Sequence, residues 1–209
     1  MKNNMQRVIG NLVILTPVIV GLVFYKQLPN QIAIHFNVEE QANGFMNRNL
    51  AIVALPFLAL IIYNLCFSFF KQITIPFLKE FMLWLVPISA VLIQGLILTV
   101  ALGGHVQVRL TVIWLVALIF LVIGNYLPKI RNNSIIGIRT KWTLSNHDTW
   151  YKTHKFSGKL FVICGIVFAP VCFFTSSKIS SIIFLTMLIL LTITSTIYSY
   201  RIFKTVNKI

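Results

Sequence analysis

The residues that could bind a metal ion are few in this sequence, and their spacing is unfavourable for a metal site. The 209 residues include four His, three Cys and four acidic residues. His147 and His154 are seven positions apart, which on a helix places them about 10 Å apart along the axis, too far to share one ion. Cys164 and Cys172 share a helix face, but neither has a His or a carboxylate nearby in the sequence. This spacing favours helix packing for the two thiols, and we expect neither a metal site nor a cofactor.

Patterns typical of catalysis are also missing from the sequence. Its one pair of adjacent glutamates, Glu39-Glu40, lies in a polar stretch, and Arg48 is too distant to complete the E-E-x-x-x-R motif of prenyl-type membrane proteases. The nucleophile motif G-x-S-x-G does not occur. We therefore expect a protein that is not an enzyme.

The composition indicates an integral membrane protein. Apolar residues make up 57% of the chain and charged residues only 11%, whereas a soluble domain carries charge on about 25% of its residues. The mean hydropathy is +0.86. These values exclude a soluble enzyme and a disordered tail.

Six stretches contain no Asp, Glu, Lys or Arg and are long enough to cross a bilayer as helices, which takes about 18 residues or more. They are residues 8–25, 50–70, 81–102, 110–127, 160–177 and 179–200. Helices are expected because lipid offers no hydrogen-bond partners to an open backbone. Ser and Thr residues around Lys178 predict a tight turn between the last two spans. The expected fold is therefore an all-α membrane protein, a bundle of six transmembrane helices.

The distribution of basic residues predicts how the chain is oriented. If the N-terminus is cytoplasmic, fourteen of the eighteen Lys and Arg residues lie on the inner side and four on the outer side. Because cytoplasmic loops are enriched in Lys and Arg, we expect both termini in the cytoplasm. The first span is expected to be a retained anchor, since no small-x-small cleavage site follows it.

The high positive charge, +14 in total, is explained by this orientation and by contact with anionic headgroups of the lipid bilayer. We expect no direct contact with nucleic acid. The chain divides into an N-terminal half, residues 1–107, with an outer loop at 26–49, and a second half, residues 108–209, with a cytoplasmic loop at 124–159.

The outer loop contains a segment with the alternation of a β-strand. The large apolar residues Ile32, Ile34 and Phe36 alternate with Ala33, His35 and Asn37. Asn43-Gly44 is a turn signal. His35 would then lie on the polar face of the strand. Two interpretations stay open for it: a hydrogen bond that fastens the loop to the helix ends, or a contact with an extracellular ligand.

The cytoplasmic loop is too long to lack structure in so compact a protein. Pro128 is expected to end the fourth helix. Ser145-Asn146-His147-Asp148 predicts the start of another helix, which would place Trp150, His154 and Gly158 on one face at intervals of four. Three lysines near this helix favour a short interfacial helix before the fifth span.

Arg139 and Trp142 are close in sequence within the same loop. They are compatible with a cation–π or phosphate-headgroup contact. One interpretation makes Trp142 and Trp150 interfacial anchors and lets Arg139 tie the loop to helix ends. The other makes this region a protein-docking surface, because Trp and Arg dominate such surfaces.

Two motifs resemble those of a known family. The run with Gly124-Asn125, Lys129, Asn133 and Gly137-Ile138-Arg139-Thr140-Lys141-Trp142-Thr143-Leu144, followed by Trp150, Thr153-His154 and Gly158, resembles the signature of the SdpI family of bacterial membrane proteins. The outer stretch with Leu28-Pro29, Ile32-Ala33-Ile34-His35-Phe36-Asn37 and Asn43-Gly44-Phe45 is similar to the small domain of unknown function that precedes that signature.

The resemblance implies a multi-pass cell-membrane protein of Gram-positive bacteria that gives immunity to a secreted antimicrobial peptide. It also implies a signal receptor that recruits a cytosolic transcriptional repressor, the role of the founding member. The candidate residues for binding a ligand or partner are then Asn125, Asn133, Gly137, Arg139, Thr140, Trp142, Trp150 and His154 in the cytoplasmic loop, and His35 and Asn37 in the outer loop. The alternatives are a membrane scaffold acting through the cytoplasmic loop, and a small-solute transporter, which charge-free spans disfavour.

Overall fold

The computed structural model describes residues 2–37, 39–70, 75–133 and 136–207. Six of its helices are long and apolar enough to cross a membrane. The helices are α1 (Lys2–Val23), α2 (Arg48–Phe70), α3 (Pro76–Ala101), α4 (Val108–Tyr126), the five-residue α5 (Lys141–Ser145), α6 (His147–Phe173) and α7 (Ser177–Val206). The predicted fold of six membrane-spanning helices is confirmed, and the protein is a multi-pass membrane protein. The chain separates into two compact units, Met1–Val108 and Arg109–Ile209.

The first unit packs α1, α2 and α3 around two apolar clusters. One contains Ile14, Tyr63, Phe67 and Leu83, all almost fully buried. Amides join the helices at other levels: the Asn64 side chain donates to Asn11 Oδ1 over 2.9 Å, and buried Gln94 donates to the carbonyl of Ala51 over 2.9 Å. Side-chain amides commonly form such hydrogen bonds between membrane helices.

A β-hairpin connects α1 to α2. Strands β1 (Gln31–Phe36) and β2 (Ala42–Asn47) pair antiparallel, and Ile32 lies opposite Met46. Ile32 is completely buried in a cluster with Leu28, Ile52 and Leu98, so one face of the hairpin packs on the helix ends. The predicted strand at Ile32 is thus confirmed, and its partner strand is an addition to the all-α expectation.

The predicted turn at Asn43-Gly44 is wrong, because these residues belong to β2. The chain reverses instead between Asn37 and Gln41. There the side-chain oxygen of Asn37 accepts hydrogen bonds from the backbone N–H groups of Glu39 and Gln41, each 2.9 Å long. Glu40 takes the left-handed conformation with φ of 64°. An Asn side chain that bonds its own following backbone is a common way to build such a turn.

The second unit packs α4, α6 and α7. Its apolar core includes Ile113, Ala117, Phe168, Ala169 and Cys172. The two cysteines of α6 are therefore a core residue, Cys172, and a half-buried one, Cys164.

Small residues allow α4 and α6 to approach closely. A Cβ atom built on Gly124 would lie 2.7 Å from the carbonyl oxygen of Gly158, and one built on Gly158 would lie 2.6 Å from that of Gly124. On another face of α6 the Ser157 hydroxyl donates to Ser195 of α7 over 2.8 Å. Both contacts are typical of membrane helices, where small and hydroxylated residues form the interfaces.

The helix ends follow the predicted signals with some shifts. Pro128 lies in a single turn of 3₁₀ helix, Leu127–Lys129, that ends α4 as expected. A turn at 174–176 separates α6 from α7, and Ser176 caps α7 by accepting from the N–H of Ile179. Within the predicted start at Ser145–Asp148, Asn146 is the cap of α6 and Asp148 is at the second helical position.

The helix predicted between residue 145 and the fifth span is continuous with that span. α6 runs from His147 to Phe173 without interruption, so its first turns are not a separate helix. The location of those turns at a membrane interface stays a prediction.

Candidate functional site

The site in the second unit is built on two stacked rings of α6. Trp150 and His154 are one turn apart, their ring centroids are 4.0 Å apart, and their planes differ by 20°. Both side chains are buried, Trp150 with 1% and His154 with 0% of its surface exposed. Together with Gly158, also buried, they form the predicted shared face. Because Trp150 is enclosed by protein, it does not serve as an exposed interfacial anchor.

The connection between α4 and α5 lies on these rings. The indole N–H of Trp150 donates to the carbonyl of Ile130 over 2.8 Å. The backbone N–H of Ile138 donates to Nε2 of His154 over 3.0 Å. Since Nε2 accepts, the proton of a neutral His154 is on Nδ1, which donates to the Trp150 carbonyl 2.8 Å away. The two rings therefore hold both ends of the segment from Ile130 to Ile138.

Gly137 is required by the close approach of this segment to the rings. Its φ is +121°, a conformation that L side chains rarely adopt. A Cβ atom at this position would collide with Nε2 of His154 and would lie 2.9 Å from the Trp150 ring. The glycine of the motif thus shapes the segment.

Asn133 organises the middle of the segment. Its amide donates to the carbonyls of Arg131 and Ile136, at 2.8 and 3.2 Å, and its oxygen accepts from the Ile136 N–H over 2.9 Å. A side chain so engaged with backbone groups holds a turn.

Thr140 starts α5 with a capping box. Its hydroxyl accepts from the N–H of Thr143, and the Thr143 hydroxyl accepts from the N–H of Thr140. The Thr140 hydroxyl also lies 3.1 Å from that of Ser199 on α7. The short helix is in this way fixed to the last helix of the unit.

Trp142 is half-buried against α7. Its ring contacts that of Tyr200, with centroids 5.0 Å apart, and the Lys141 ammonium lies 5.5 Å from its centroid. The cation described near Trp142 is therefore Lys141, not Arg139.

Arg139 and Asn125 differ from the other candidates because both are exposed. Within the part of the chain that the structure describes, neither side chain has a hydrogen-bond partner. The structure thus assigns folding roles to Asn133, Gly137, Thr140, Trp150 and His154. Arg139 and Asn125 are exposed and Trp142 is partly exposed, and a binding role for these three residues stays a prediction.

The hairpin of the first unit carries the other two candidates. His35 Nδ1 lies 2.6 Å from Oδ1 of Asn43 on the opposite strand. A Cβ atom on Gly44 would lie 2.8 Å from the Cβ of His35, so Gly44 makes room for the imidazole. Asn37 forms the turn described above. Both candidates maintain the shape of the hairpin.

The exposed apolar residues of the hairpin are not those that sequence reasoning selected. Phe45 is 59% exposed and Ile34 is 36% exposed. The pairing of Phe45 with Ala33 places it on the face opposite Ile32 and Met46, which pack on the helix ends. An exposed aromatic residue on a well-anchored hairpin is suited to binding an apolar partner.

Arg48 is a second residue that sequence reasoning did not select. One of its guanidinium nitrogens donates to the carbonyls of Tyr25, at 3.0 Å, and Leu28, at 2.8 Å. The guanidinium also lies 4.1 Å from the centroid of the Tyr25 ring. Arg48 thereby connects the start of α2 to the segment that follows α1. The available signal was that Arg48 is the one charged residue between Glu40 and Lys71.

The described residues contain no group of three or more His, Cys, Asp or Glu side chains that could hold a metal ion.

Two family models match the chain, and each matched range includes one of the two candidate sites. The model of the SdpI/YfhL protein family matches residues 129–199, which include the stacked rings and α5. A model described as a domain of unknown function (DUF1648) matches residues 12–60, which include the hairpin. No solved structure matches the chain.

A curated relative extends this similarity over the full length. The chain is 30% identical over 218 aligned positions to the immunity protein SdpI of Bacillus subtilis (strain 168), and the alignment covers 99% of both proteins. This chain therefore belongs to the SdpI/YfhL protein family.

Proposed function

We propose that the chain is a membrane immunity protein that protects its cell against a secreted killing peptide. The observation that carries this proposal is the match over 99% of both chains to a relative named as an immunity protein. Because both candidate sites and all six apolar helices fall within the matched length, the similarity extends to the whole architecture. The role is one of binding, since the sequence has no catalytic pattern.

The proposed orientation places the hairpin outside the cell and the connection between α4 and α6 inside. It rests on the excess of Lys and Arg on the proposed inner side. This arrangement brings the exposed Phe45 and Ile34 to the outer surface of the membrane. A killing peptide that partitions into the bilayer has to pass this surface.

The proposed contact with the peptide is the exposed face of the hairpin. Phe45 and Ile34 offer apolar area, and the strands are held by buried Ile32 and by the Arg48 hydrogen bonds. A rigid apolar surface binds with a small loss of conformational entropy. His35 and Asn37 contribute by keeping this face in shape.

Signal reception is the finer part of the proposal. The exposed Arg139 would contact a cytosolic transcriptional repressor when the outer face is occupied. Such coupling requires two states of the protein with different affinities for the two partners. The segment from Ile130 to Ile138 is suited to this role, because a few side-chain hydrogen bonds hold it on α6.

A killing assay tests the proposal. A sensitive strain expressing the chain is exposed to culture supernatant from the bacterium that encodes it and to supernatant of Bacillus subtilis. We expect survival to rise at least tenfold over that of cells with an empty vector. Equal killing of both strains, with the protein present in the membrane fraction, would contradict the immunity role.

The orientation has a separate test. Single cysteines at positions 35 and 142, in a background without the three native cysteines, are labelled with an impermeant maleimide on intact cells. Position 35 should react directly and position 142 only after permeabilisation. The opposite pattern would overturn the orientation and leave the immunity assay valid.

A further inference from the structure

A continuous strip on α7 changes from apolar to aromatic to cationic along its length. Ile189, Ile193 and Ile197 are 48–57% exposed and lie one turn apart on one face. Tyr200 and Lys204 follow on the same face at intervals of three and four residues. Tyr200 is itself 40% exposed. The three zones occur in the order found along a phospholipid, from acyl chain to interface to headgroup.

The aromatic zone is enlarged by α5. The Trp142 ring packs on Tyr200 with centroids 5.0 Å apart. An ammonium group lies at each ring: Lys141 is 5.5 Å from the centroid of Trp142, and Lys204 is 4.9 Å from that of Tyr200. The hydrogen bond between Thr140 and Ser199 fixes α5 at this level. We call these four residues, Lys141, Trp142, Tyr200 and Lys204, the aromatic–lysine cluster.

The aromatic–lysine cluster contains two lysines and no acidic residue. Asp148 is the one acidic residue between positions 109 and 209, and its described contact is with His147 at 4.0 Å. Neither Lys141 nor Lys204 has a carboxylate partner among the described residues. Both ammonium groups are therefore available to an anionic partner.

We propose that the strip and the aromatic–lysine cluster together bind an anionic phospholipid. Its acyl chain lies along Ile193 and Ile197, its glycerol region contacts Trp142 and Tyr200, and its phosphate is beside the Lys141 and Lys204 ammonium groups. Trp and Tyr prefer this level of the membrane, and Lys residues near it attract anionic headgroups. The binding is independent of the proposed immunity role and of which leaflet the cluster occupies.

A phospholipid is favoured over an acidic protein because the cationic zone is continuous with exposed apolar side chains. Ile193 and Ile197 are exposed on a helix that is long and apolar enough to span a membrane, where exposed apolar side chains are suited to contact with acyl chains. A protein that bound the lysines alone would not use the apolar part of the strip.

Native mass spectrometry of the detergent-purified protein tests the proposal. The wild type is titrated with dioleoylphosphatidylglycerol and, separately, with dioleoylphosphatidylcholine. The test variant is Lys141→Gln with Lys204→Gln. The control variant is Lys152→Gln with Lys159→Gln, which removes the same charge from exposed positions of α6 outside the cluster. Thermal unfolding in the same detergent confirms that all three proteins are folded.

We expect the wild type to prefer phosphatidylglycerol, and the test variant to bind it about 25-fold more weakly, since each of the two lysines beside the headgroup contributes about fivefold. The control variant should stay within about twofold of the wild type. An equal loss in both variants would overturn the proposal, because diffuse charge and not this cluster would then attract the lipid. A wild type that binds phosphatidylglycerol and phosphatidylcholine equally would also overturn the proposal and would favour an acidic protein as the partner of the cluster.

Discussion

The imidazole of His154 stacks on the indole of Trp150, with 4.0 Å between ring centroids. Each ring also forms one hydrogen bond with the segment that connects α4 to α5. The His154 ring accepts from the backbone N–H of Ile138, and the Trp150 ring donates to the carbonyl of Ile130. Two side chains of one helix thus hold a segment that contains much of the sequence motif. The stability of this segment should depend on the stacked pair.

Removing the indole N–H tests that dependence. Trp150→Phe keeps an aromatic ring over His154 but loses the bond to Ile130, so the unfolding free energy should fall by about 1 kcal/mol. Trp114→Phe is the matched control, because Trp114 is 56% exposed on α4. Thermal unfolding in detergent and tryptic cleavage between residues 129 and 141 measure the effect. A Trp150→Phe protein as stable and as protected as the control would show that the bond is not needed.

Gly137 should tolerate no side chain. Gly137→Ala combines an unfavourable φ with a collision at His154, so we expect a loss of roughly 2–4 kcal/mol. Gly103→Ala is the control: its φ is +84°, but no atom lies within 4 Å of an added Cβ, so the strain alone costs about 1 kcal/mol. Equal unfolding temperatures for the two variants would mean that the rings of His154 and Trp150 are not in close contact with Gly137.

The crossing of α4 and α6 gives a third prediction. An added Cβ at Gly158 meets the Gly124 carbonyl at 2.6 Å and Pro128 at 2.9 Å, and the first of these is backbone. Gly158→Ala should therefore destabilise the protein by about 2 kcal/mol. Gly95→Ala on α3 has open space around it and should change stability by less than about 1 kcal/mol. If both variants melt at the same temperature, the helices do not pack as closely as described.

The sequence predicted the architecture well because charge-free windows report directly on lipid contact. It placed the fifth span at 160–177, although α6 begins at His147. The reason is that Lys152, Lys155 and Lys159 interrupt the window while all three lie on exposed faces of one uninterrupted helix. A charge count finds the apolar part of a helix and not its polar extension.

The hairpin shows where local signals fail. Asn43-Gly44 has low strand propensity and predicts a turn, but both residues are in β2, where the missing side chain of Gly44 leaves room for His35 on the opposite strand. That contact depends on the opposite strand and is invisible in the local sequence. The spacing of Trp150, His154 and Gly158 predicted their shared helix face. It did not predict that Trp150 and His154 form hydrogen bonds with the preceding segment.

Phe45 should matter for protection and not for folding. Its ring is 59% exposed, so Phe45→Ala removes contact area for a peptide and little packing. We expect at least a fivefold loss of survival in the killing assay with unchanged membrane levels. Phe57→Ala, at a ring 64% exposed on the membrane-spanning α2, is the control and should protect as the wild type does. Full protection by the Phe45 variant would show that the exposed face of the hairpin does not bind the peptide.

Arg139 should matter for recruitment and not for insertion. Arg139→Ala is expected to abolish co-purification of a cytosolic repressor from cells exposed to the peptide, while maleimide labelling at position 35 is unchanged. Arg131→Ala, at another exposed residue of the same connection, should retain recruitment. Loss of co-purification in both variants would indicate general charge attraction. Unchanged co-purification in both would show that Arg139 has no role in recruitment.

Immunity itself is tested most directly by deleting the gene in its own bacterium and measuring survival in supernatant of the parent culture. We expect the deletion strain to die, the intact gene to restore survival, and the Phe45→Ala gene to restore survival only in part. A deletion strain that survives as well as its parent would show that the protein does not give immunity to a peptide of its own bacterium.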